Sequence, residues 1–198
     1  VLGRSGRVFV LTGDGELQEG QFWESLISAA NQRLGRLTVI VDHNKIQSDT
    51  WLSRVSDLGD LEAKIASFGW HVSRVDGHDV AAFAKAMAAL QTVTKRPRLV
   101  IADTVKGRGV SFMEGTALKP GDRLYRFHSG APDHETYEKA IAELVVRVDG
   151  MFAAAGGTPV RLDTVTVPPR STPASPQRLV AAYSKALVEH ARRNPRIV

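Results

Sequence analysis

The 198-residue sequence contains no cysteine, which excludes disulfide bonds, thiolate metal ligands and a thiol nucleophile. It has no run of about 18 apolar residues, the minimum for a membrane-spanning helix. The first residues, VLGRSGRVFV, lack the charged, apolar and small-residue regions of a signal peptide. We therefore expect a cytoplasmic protein that does not associate with a membrane.

The sequence also lacks a concentrated block of positive charge. Its net charge is +5, but the lysines and arginines are scattered along the chain. A nucleic-acid-binding surface requires basic residues clustered on one face. We do not expect nucleic-acid binding, and the mild positive charge instead favours attraction of anionic substrates.

What the sequence does contain is an alternation of β-rich and helical segments. Strands rich in Val, Ile, Leu and Phe are typical of parallel sheets that are buried on both faces. The alternation predicts an α/β fold with a doubly wound, mostly parallel sheet and helices on both faces. The predicted strands are Arg7–Leu11, Leu37–Asp42, His71–Val75 and Leu99–Asp103.

Five segments have the apolar spacing of amphipathic helices. The first contains Phe22, Leu26 and Ala30, the second has Asp60 as its N-cap, and the third begins near Asp79. The other two are predicted over residues 137–148 and 177–193, and residues 104–134 between strand and helix read as a long loop.

Composition suggests two domains. Residues 149–177 are rich in Gly, Pro, Thr and Ser, which is typical of a linker. We therefore expect one domain over residues 1–148, incomplete at its N-terminus, and the start of a second over residues 178–198. The last residues, 195–198, resemble the start of a strand, so we expect the chain to be part of a longer polypeptide.

The segment VFVLTGDGELQEGQFWES (8–25) places Asp14 between two glycines at the end of the first predicted strand. Ligands of open α/β sheets bind at these carboxyl ends, and glycine permits close approach or a positive φ. A following helix N-terminus favours a phosphate group, which a carboxylate would repel unless a cation such as Mg²⁺ lies between them.

The next strand supplies further oxygen ligands in VDHNKIQSD (41–49), namely the amide of Asn44 and the carbonyl of Ile46. Parallel strands lie about 5 Å apart, so the two strand ends can converge on one ion. The sequence thus suggests that Asp14 and Asn44 hold a metal against a phosphorylated cofactor. The alternative is an ordinary turn, because turns favour Gly and Asp.

These two segments together resemble the thiamine-diphosphate motif of the transketolase family. The stretches GWHVSRVDGHD (69–79), KGRGVSFME (106–114) and HSGAP (128–132) match further family segments in the same order. The resemblance is strong over residues 7–132 and weaker towards residue 198. It implies that residues 1–148 form the diphosphate-binding domain and that residues 178–198 begin the pyrimidine-binding domain.

The resemblance also implies roles for individual residues. Asp14, Asn44 and the Ile46 carbonyl correspond to Mg²⁺ ligands, and the N–H of Gly15 and the side chain of Asn44 to diphosphate contacts. His128 corresponds to a catalytic histidine close to the cofactor and the sugar hydroxyls. The family pattern is SHGAP, so the register of this histidine is offset by one, and a surface loop residue is the alternative.

Three other residues have less direct roles. Glu19 corresponds to a dimer-interface glutamate, although it could also be a first-turn acid that stabilises a helix. His78 is expected to organise its loop rather than contact substrate, and Trp23 to lie in the core.

The implied reaction is transfer of a two-carbon ketol unit from a ketose, such as a sugar phosphate, to an aldose by thiamine diphosphate with Mg²⁺. The family also requires a glutamate of the pyrimidine-binding domain, which these 198 residues do not supply. We therefore expect a second copy or a complementary chain to provide it. The alternatives are another thiamine-diphosphate enzyme, such as deoxyxylulose-phosphate synthase or a 2-oxo acid dehydrogenase component, and a truncated, non-catalytic relative.

Overall fold

The computed structural model describes residues 6–115, 124–159, 161–163 and 179–194. Four strands form a fully parallel sheet in the order β1-β2-β6-β5, and a two-stranded antiparallel hairpin, β3 and β4, lies outside it. The strands are β1 (Val8–Gly13), β2 (Leu37–His43), β3 (Ile46–Gln47), β4 (Thr50–Trp51), β5 (His71–Asp76) and β6 (Arg98–Asp103).

The helices are α1 (Gly20–Asn31), α2 (Leu52–Val55), α3 (Leu61–Ser67), α4 (Val80–Ala89), α5 (His134–Ala154) and α6 (Leu179–Arg193), with 3₁₀ helices at Asp14–Gln18 and Leu90–Thr92. The predicted N-caps form, because Asp60 accepts a hydrogen bond from the Ala63 N–H and Asp79 accepts one from the Ala82 N–H. Such capping satisfies N–H groups that a helix leaves without partners at its first turn.

The core lies between the sheet and helices α1 and α3. Alternate residues of the two central strands, such as Val41 and Ile101, point to this side and are fully buried. Leu26 of α1 and Ile65 of α3 pack against them, and the Trp70 indole donates to the Leu26 carbonyl at 3.0 Å. Trp23 is partly buried against this core, in agreement with its expected role.

Helix α4 lies on the opposite face of the sheet, where its residues line a cavity with Phe9 and Thr38. The predicted α/β fold with helices on both faces is therefore confirmed. In a strand, successive side chains alternate between the two faces, so one buried central strand can serve both layers.

Burial on both faces holds for the central strands β2 and β6 but is wrong for the two edge strands of the described sheet, β1 and β5, neither of which has a fully buried residue. Residues Val8, Phe9, Val10 and Leu11 are between 43% and 73% exposed. Strand β1 lies at the sheet edge, and within the described residues only β2 pairs with it. The position of β1 at the sheet edge, rather than its apolar composition, therefore determines how exposed its side chains are.

Helix α5 continues to Ala154, so residues 149–154, expected in the linker, are helical. The chain divides into two compact units, residues 1–160 and residues 161–198, and α6 belongs to the second unit. Residues 160 and 164–177 of the predicted linker and the predicted C-terminal strand at 195–198 lie outside the described residues. Within the described residues, no helix is long and apolar enough to cross a bilayer.

Candidate functional site

The site is built around Asp14, the first residue after β1. Its side chain is almost completely buried, with 1% of its surface exposed. One carboxylate oxygen, Oδ2, accepts a hydrogen bond from the Lys45 backbone N–H at 2.6 Å and lies 3.1 Å from His43 Nδ1. Both contacts come from the end of β2 or the loop after it. The carboxylate therefore joins the ends of two neighbouring strands, as the sequence predicts.

The segment after Asp14 differs in one respect from the prediction of a helix directly beyond the strand. Residues Asp14–Gln18 form a short 3₁₀ helix, and α1 begins only at Gly20. The Glu16 carboxylate accepts hydrogen bonds from the Gly13 N–H at 2.6 Å and from the Thr12 hydroxyl at 2.9 Å. Glu16 thus stabilises the turn locally, with one carboxylate oxygen taken up by these two hydrogen bonds.

Gly15 is required for close approach. It does not have a positive φ. A Cβ atom at this position would lie 3.0 Å from Gln47 Cγ, closer than side chains normally pack. The absence of a side chain at Gly15 therefore allows the turn after β1 to lie against the hairpin strand β3.

The loop after β2 carries the other predicted ligands. The Asn44 amide oxygen accepts a hydrogen bond from the Ile46 N–H at 3.0 Å, while its Nδ2 donates to Asp42 at 3.3 Å. Lys45, between them, has a φ of 68°, in the left-handed region. The loop conformation thus fixes the Asn44 side chain and turns the chain sharply into β3.

These residues line one open cavity of about 740 Å³ at the carboxyl ends of the strands. The structure brings together all the predicted cofactor and metal residues there. The predicted residues that line the cavity are Asp14, Gly15, Glu19, Asn44, Ile46 and His128.

Two predictions about other residues can be compared with the geometry. His78 is absent from the lining of this cavity. Its Nε2 accepts a hydrogen bond from the Val105 N–H at 2.7 Å, which fits the expected role in organising its loop. The Glu19 side chain is exposed and makes no capping hydrogen bond to α1. The expected interface role of Glu19 stays a prediction.

Lys106 is a residue of the cavity that the sequence reasoning did not identify. Its Nζ lies 2.9 Å from His128 Nδ1 and 5.2 Å from the centre of the Tyr125 ring, and it donates to the Ser48 carbonyl at 3.3 Å. Burial lowers the pKa of Lys106. The segment KGRGVSFME begins with this lysine, so a signal was present in the sequence. Lys106 adds a basic group beside the predicted histidine.

A second group of charged residues, Asp103, Arg74 and Lys45, includes one residue of the loop after β2. The Asp103 carboxylate accepts two hydrogen bonds from Arg74, at 2.6 and 2.9 Å, and pairs with Lys45 Nζ at 3.0 Å. The hydrogen bond from Arg74 is the main reason that the pKa of Asp103 falls to about 2, and Lys45 contributes to the same shift. Asp103 is therefore ionised at all pH values well above 2.

The residues of the cavity fit a hard cation and a diphosphate. A buried carboxylate, an amide oxygen and a backbone carbonyl are oxygen ligands of the kind that Mg²⁺ prefers. Within the described residues, no three His, Cys, Asp or Glu side chains gather into a metal site. Mg²⁺ is usually bound by one or two carboxylates together with phosphate oxygens and water. Lys106 and the narrow space at Gly15 suit an anionic group.

Comparison with known proteins identifies a family at the level of sequence. The family described as "Transketolase, thiamine diphosphate binding domain" matches residues 5–126. The 6-deoxy-6-sulfo-D-fructose transketolase subunit of a Clostridium species is 34% identical over 137 residues, which cover 69% of this chain and 47% of that protein. The apulose-4-phosphate transketolase subunit of Phocaeicola vulgatus is 32% identical over 143 residues, covering 72% and 48%.

The fold has a counterpart among solved structures. A mutant transketolase from Pichia stipitis superposes with a TM-score of 0.58 at 24% identity, covering 94% of this chain and 23% of that one. The chain thus spans about half the length of the curated relatives and a quarter of this enzyme.

Proposed function

Because the chain belongs to the transketolase family and contains its thiamine-diphosphate-binding domain, we propose that it supplies the Mg²⁺- and diphosphate-binding half of a transketolase. The enzyme transfers a two-carbon ketol unit from a ketose to an aldose, and its substrates are sugar phosphates. The observation that carries this proposal is the convergence in one cavity of Asp14, Gly15, Asn44 and Ile46, which all lie within the matching segment. His128, two residues beyond that segment, lines the same cavity.

In the proposed site, Asp14, Asn44 and the Ile46 carbonyl hold Mg²⁺, and Gly15 and Asn44 hold the diphosphate. Asp14 suits the metal role because, within the described residues, its buried charge has two hydrogen-bonding partners, the Lys45 N–H and the His43 ring, both at Oδ2. A cation bound there offsets the unfavourable burial of an ionised carboxylate.

Thiamine diphosphate, when bound, supplies the nucleophile and the electron sink that carbon–carbon bond cleavage requires. The residues of this chain contribute placement and proton transfer. His128 is the proposed catalytic histidine, acting on substrate hydroxyl groups. Lys106, whose Nζ lies 2.9 Å from Nδ1 of this histidine, orients the ring.

The remaining half of the enzyme comes from a partner. Two relatives are named as transketolase subunits, which supports a complementary chain rather than a single long polypeptide. That chain supplies the pyrimidine-binding domain and its glutamate. Within this chain, residues 1–148 form the diphosphate-binding domain with its last helix extended to Ala154, and residues 178–198 are the start of a pyrimidine-binding domain.

The experiment is an assay of the complete enzyme with Mg²⁺ and thiamine diphosphate against a panel of ketose and aldose phosphates, with products identified by mass spectrometry. We expect products longer by two carbons than the aldose acceptor. The wild type is compared with His128→Ala, which we expect to lose most of this activity. Turnover of 2-oxo acids without ketol transfer would contradict the proposal and indicate another thiamine-diphosphate enzyme.

A further inference from the structure

We propose that Asp103 is a positioning residue for the cofactor site. Through Lys45 it holds the loop Asn44–Ile46 in the conformation that presents the proposed cation ligands. This inference rests on the proposed function for its consequence, the binding of Mg²⁺ and diphosphate, but the contact itself is a property of this chain.

The backbone of Lys45 needs support from its surroundings. Its φ of 68° is unfavourable for a residue with a Cβ atom, because the side chain crowds the following carbonyl. Such residues persist only where neighbouring contacts fix them. The loop has no glycine at this position, so contacts of Lys45 must stabilise the turn.

Lys45 is held at both of its ends. Its backbone N–H donates to Asp14 at 2.6 Å, and its Nζ pairs with Asp103 at 3.0 Å. The first contact orients the proposed metal ligand Asp14, and the second fixes the side chain on the other side of the loop. The two residues that flank Lys45, Asn44 and Ile46, are the other proposed ligands.

Asp103 is itself firmly placed. It is the last residue of β6 and lies opposite His43, the last residue of β2, in the sheet register. Arg74 of β5 donates two hydrogen bonds to its carboxylate, a planar arrangement that fixes orientation as well as distance. The contact therefore ties the loop after β2 to the end of β6 and, through Arg74, to β5.

The expected strength of the ion pair between Lys45 and Asp103 follows from the solvent exposure of the two side chains. The Lys45 side chain is 47% exposed and that of Asp103 29% exposed, so solvent screens the pair. Ion pairs of this kind change an equilibrium by about two- to fivefold, and salt weakens them. A shift of this size suits a residue that biases a loop, and would be too small for a direct metal ligand.

The test measures hydrogen exchange of the residue-45 amide in the full chain at low salt, with core amides such as Val100 as a check on folding. Asp103→Asn should accelerate exchange at residue 45 about two- to fivefold, and Lys45→Met should do the same while leaving the Arg74 contact in place. Lys45→Arg should retain the wild-type rate. Glu135→Gln, which removes the partner of an exposed lysine on α5, is the matched control and should change nothing.

The decisive comparison uses Lys45→Gly, because glycine adopts a positive φ without strain. In that background Asp103→Asn should have no further effect on exchange. In the complete enzyme, the dissociation constant of thiamine diphosphate with Mg²⁺ should rise by the same two- to fivefold in Asp103→Asn and not in Glu135→Gln.

The inference is overturned if Asp103→Asn leaves the exchange rate at residue 45 unchanged, or raises it equally in the Lys45→Gly background. A wild-type enzyme that does not bind thiamine diphosphate would refute the proposed function. The exchange rates would still decide whether Asp103 holds the loop, so the two failures are distinguishable.

Discussion

Replacing Gly15 with alanine tests how closely the turn after β1 approaches the hairpin. The new methyl group would lie 3.0 Å from Gln47 Cγ and 3.5 Å from its Cβ and Cδ. In the free protein the Gln47 side chain can rotate into the open cavity, so we expect a stability loss of about 1 kcal/mol or less. For a chain of this size, that lowers the Tm by about 2–4 °C at most.

Cofactor binding should be affected more than stability. When the cavity is filled, the displaced Gln47 side chain has no free space, and overpacking then costs about 1–3 kcal/mol. The affinity for thiamine diphosphate with Mg²⁺ should therefore fall about tenfold, measured by equilibrium dialysis of the complete enzyme. The double variant Gly15→Ala, Gln47→Ala should recover most of the affinity, because the contacting atoms are removed.

Gly20→Ala is the matched control, since a Cβ atom at Gly20 meets nothing within 4 Å and the residue does not line the cavity. It should leave both the Tm and the affinity close to those of the wild type. Equal affinities of Gly15→Ala and Gly20→Ala would refute the argument from close approach, as would a Gly15→Ala variant that Gln47→Ala fails to rescue.

Three further predictions concern single side chains. Lys106→Met should lower the affinity for the diphosphate-containing cofactor, measured by calorimetry, because it removes a cation that lines the cavity. The Tm should stay nearly unchanged. An unchanged affinity would count against an anion-binding role of Lys106. Gly35→Ala should destabilise the fold by about 3 kcal/mol or more in urea titrations, since its Cβ would clash with the Thr94 carbonyl oxygen, a backbone atom. A smaller loss of stability than that of Gly15→Ala would contradict this reasoning. The pKa of Asp103 is about 2 in the folded chain and about 3.9 in the unfolded chain, so its ionised form stabilises the fold above pH 4. This contribution disappears as the pH falls towards 2, and the Tm difference between wild type and Asp103→Asn should narrow over that range. A Tm difference that stays constant with pH would contradict the assignment.

Much of the fold could be predicted because local signals agreed with one another. The apolar runs gave the four parallel strands, and Asp60 and Asp79 formed the expected helix caps. The burial of β1 could not be predicted, since an apolar run reads alike in a central and an edge strand. Strand order depends on contacts between distant residues, which composition does not encode.

In the candidate site, too, some features could be predicted from the sequence and others could not. The alternation of strand and helix placed Asp14 and Asn44 at neighbouring strand ends, which pattern reasoning can do. It could not place Lys106, which lies in an irregular segment far along the chain and reaches the cavity through tertiary contacts. Nor could it show the ion pair of Lys45 with Asp103, because neither residue type is unusual after a strand.

The most direct test of the account is calorimetric titration of thiamine diphosphate into the complete enzyme with and without Mg²⁺. The wild type, Asp14→Ala and, as an exposed-aspartate control, Asp163→Ala are compared, with circular dichroism to check that each is folded. We predict Mg²⁺-dependent binding by the wild type and the control, and an affinity at least about tenfold lower in Asp14→Ala, since Asp14 is the proposed charged metal ligand from this chain. Equal binding by a folded Asp14→Ala variant, or wild-type binding that does not depend on Mg²⁺, would contradict it.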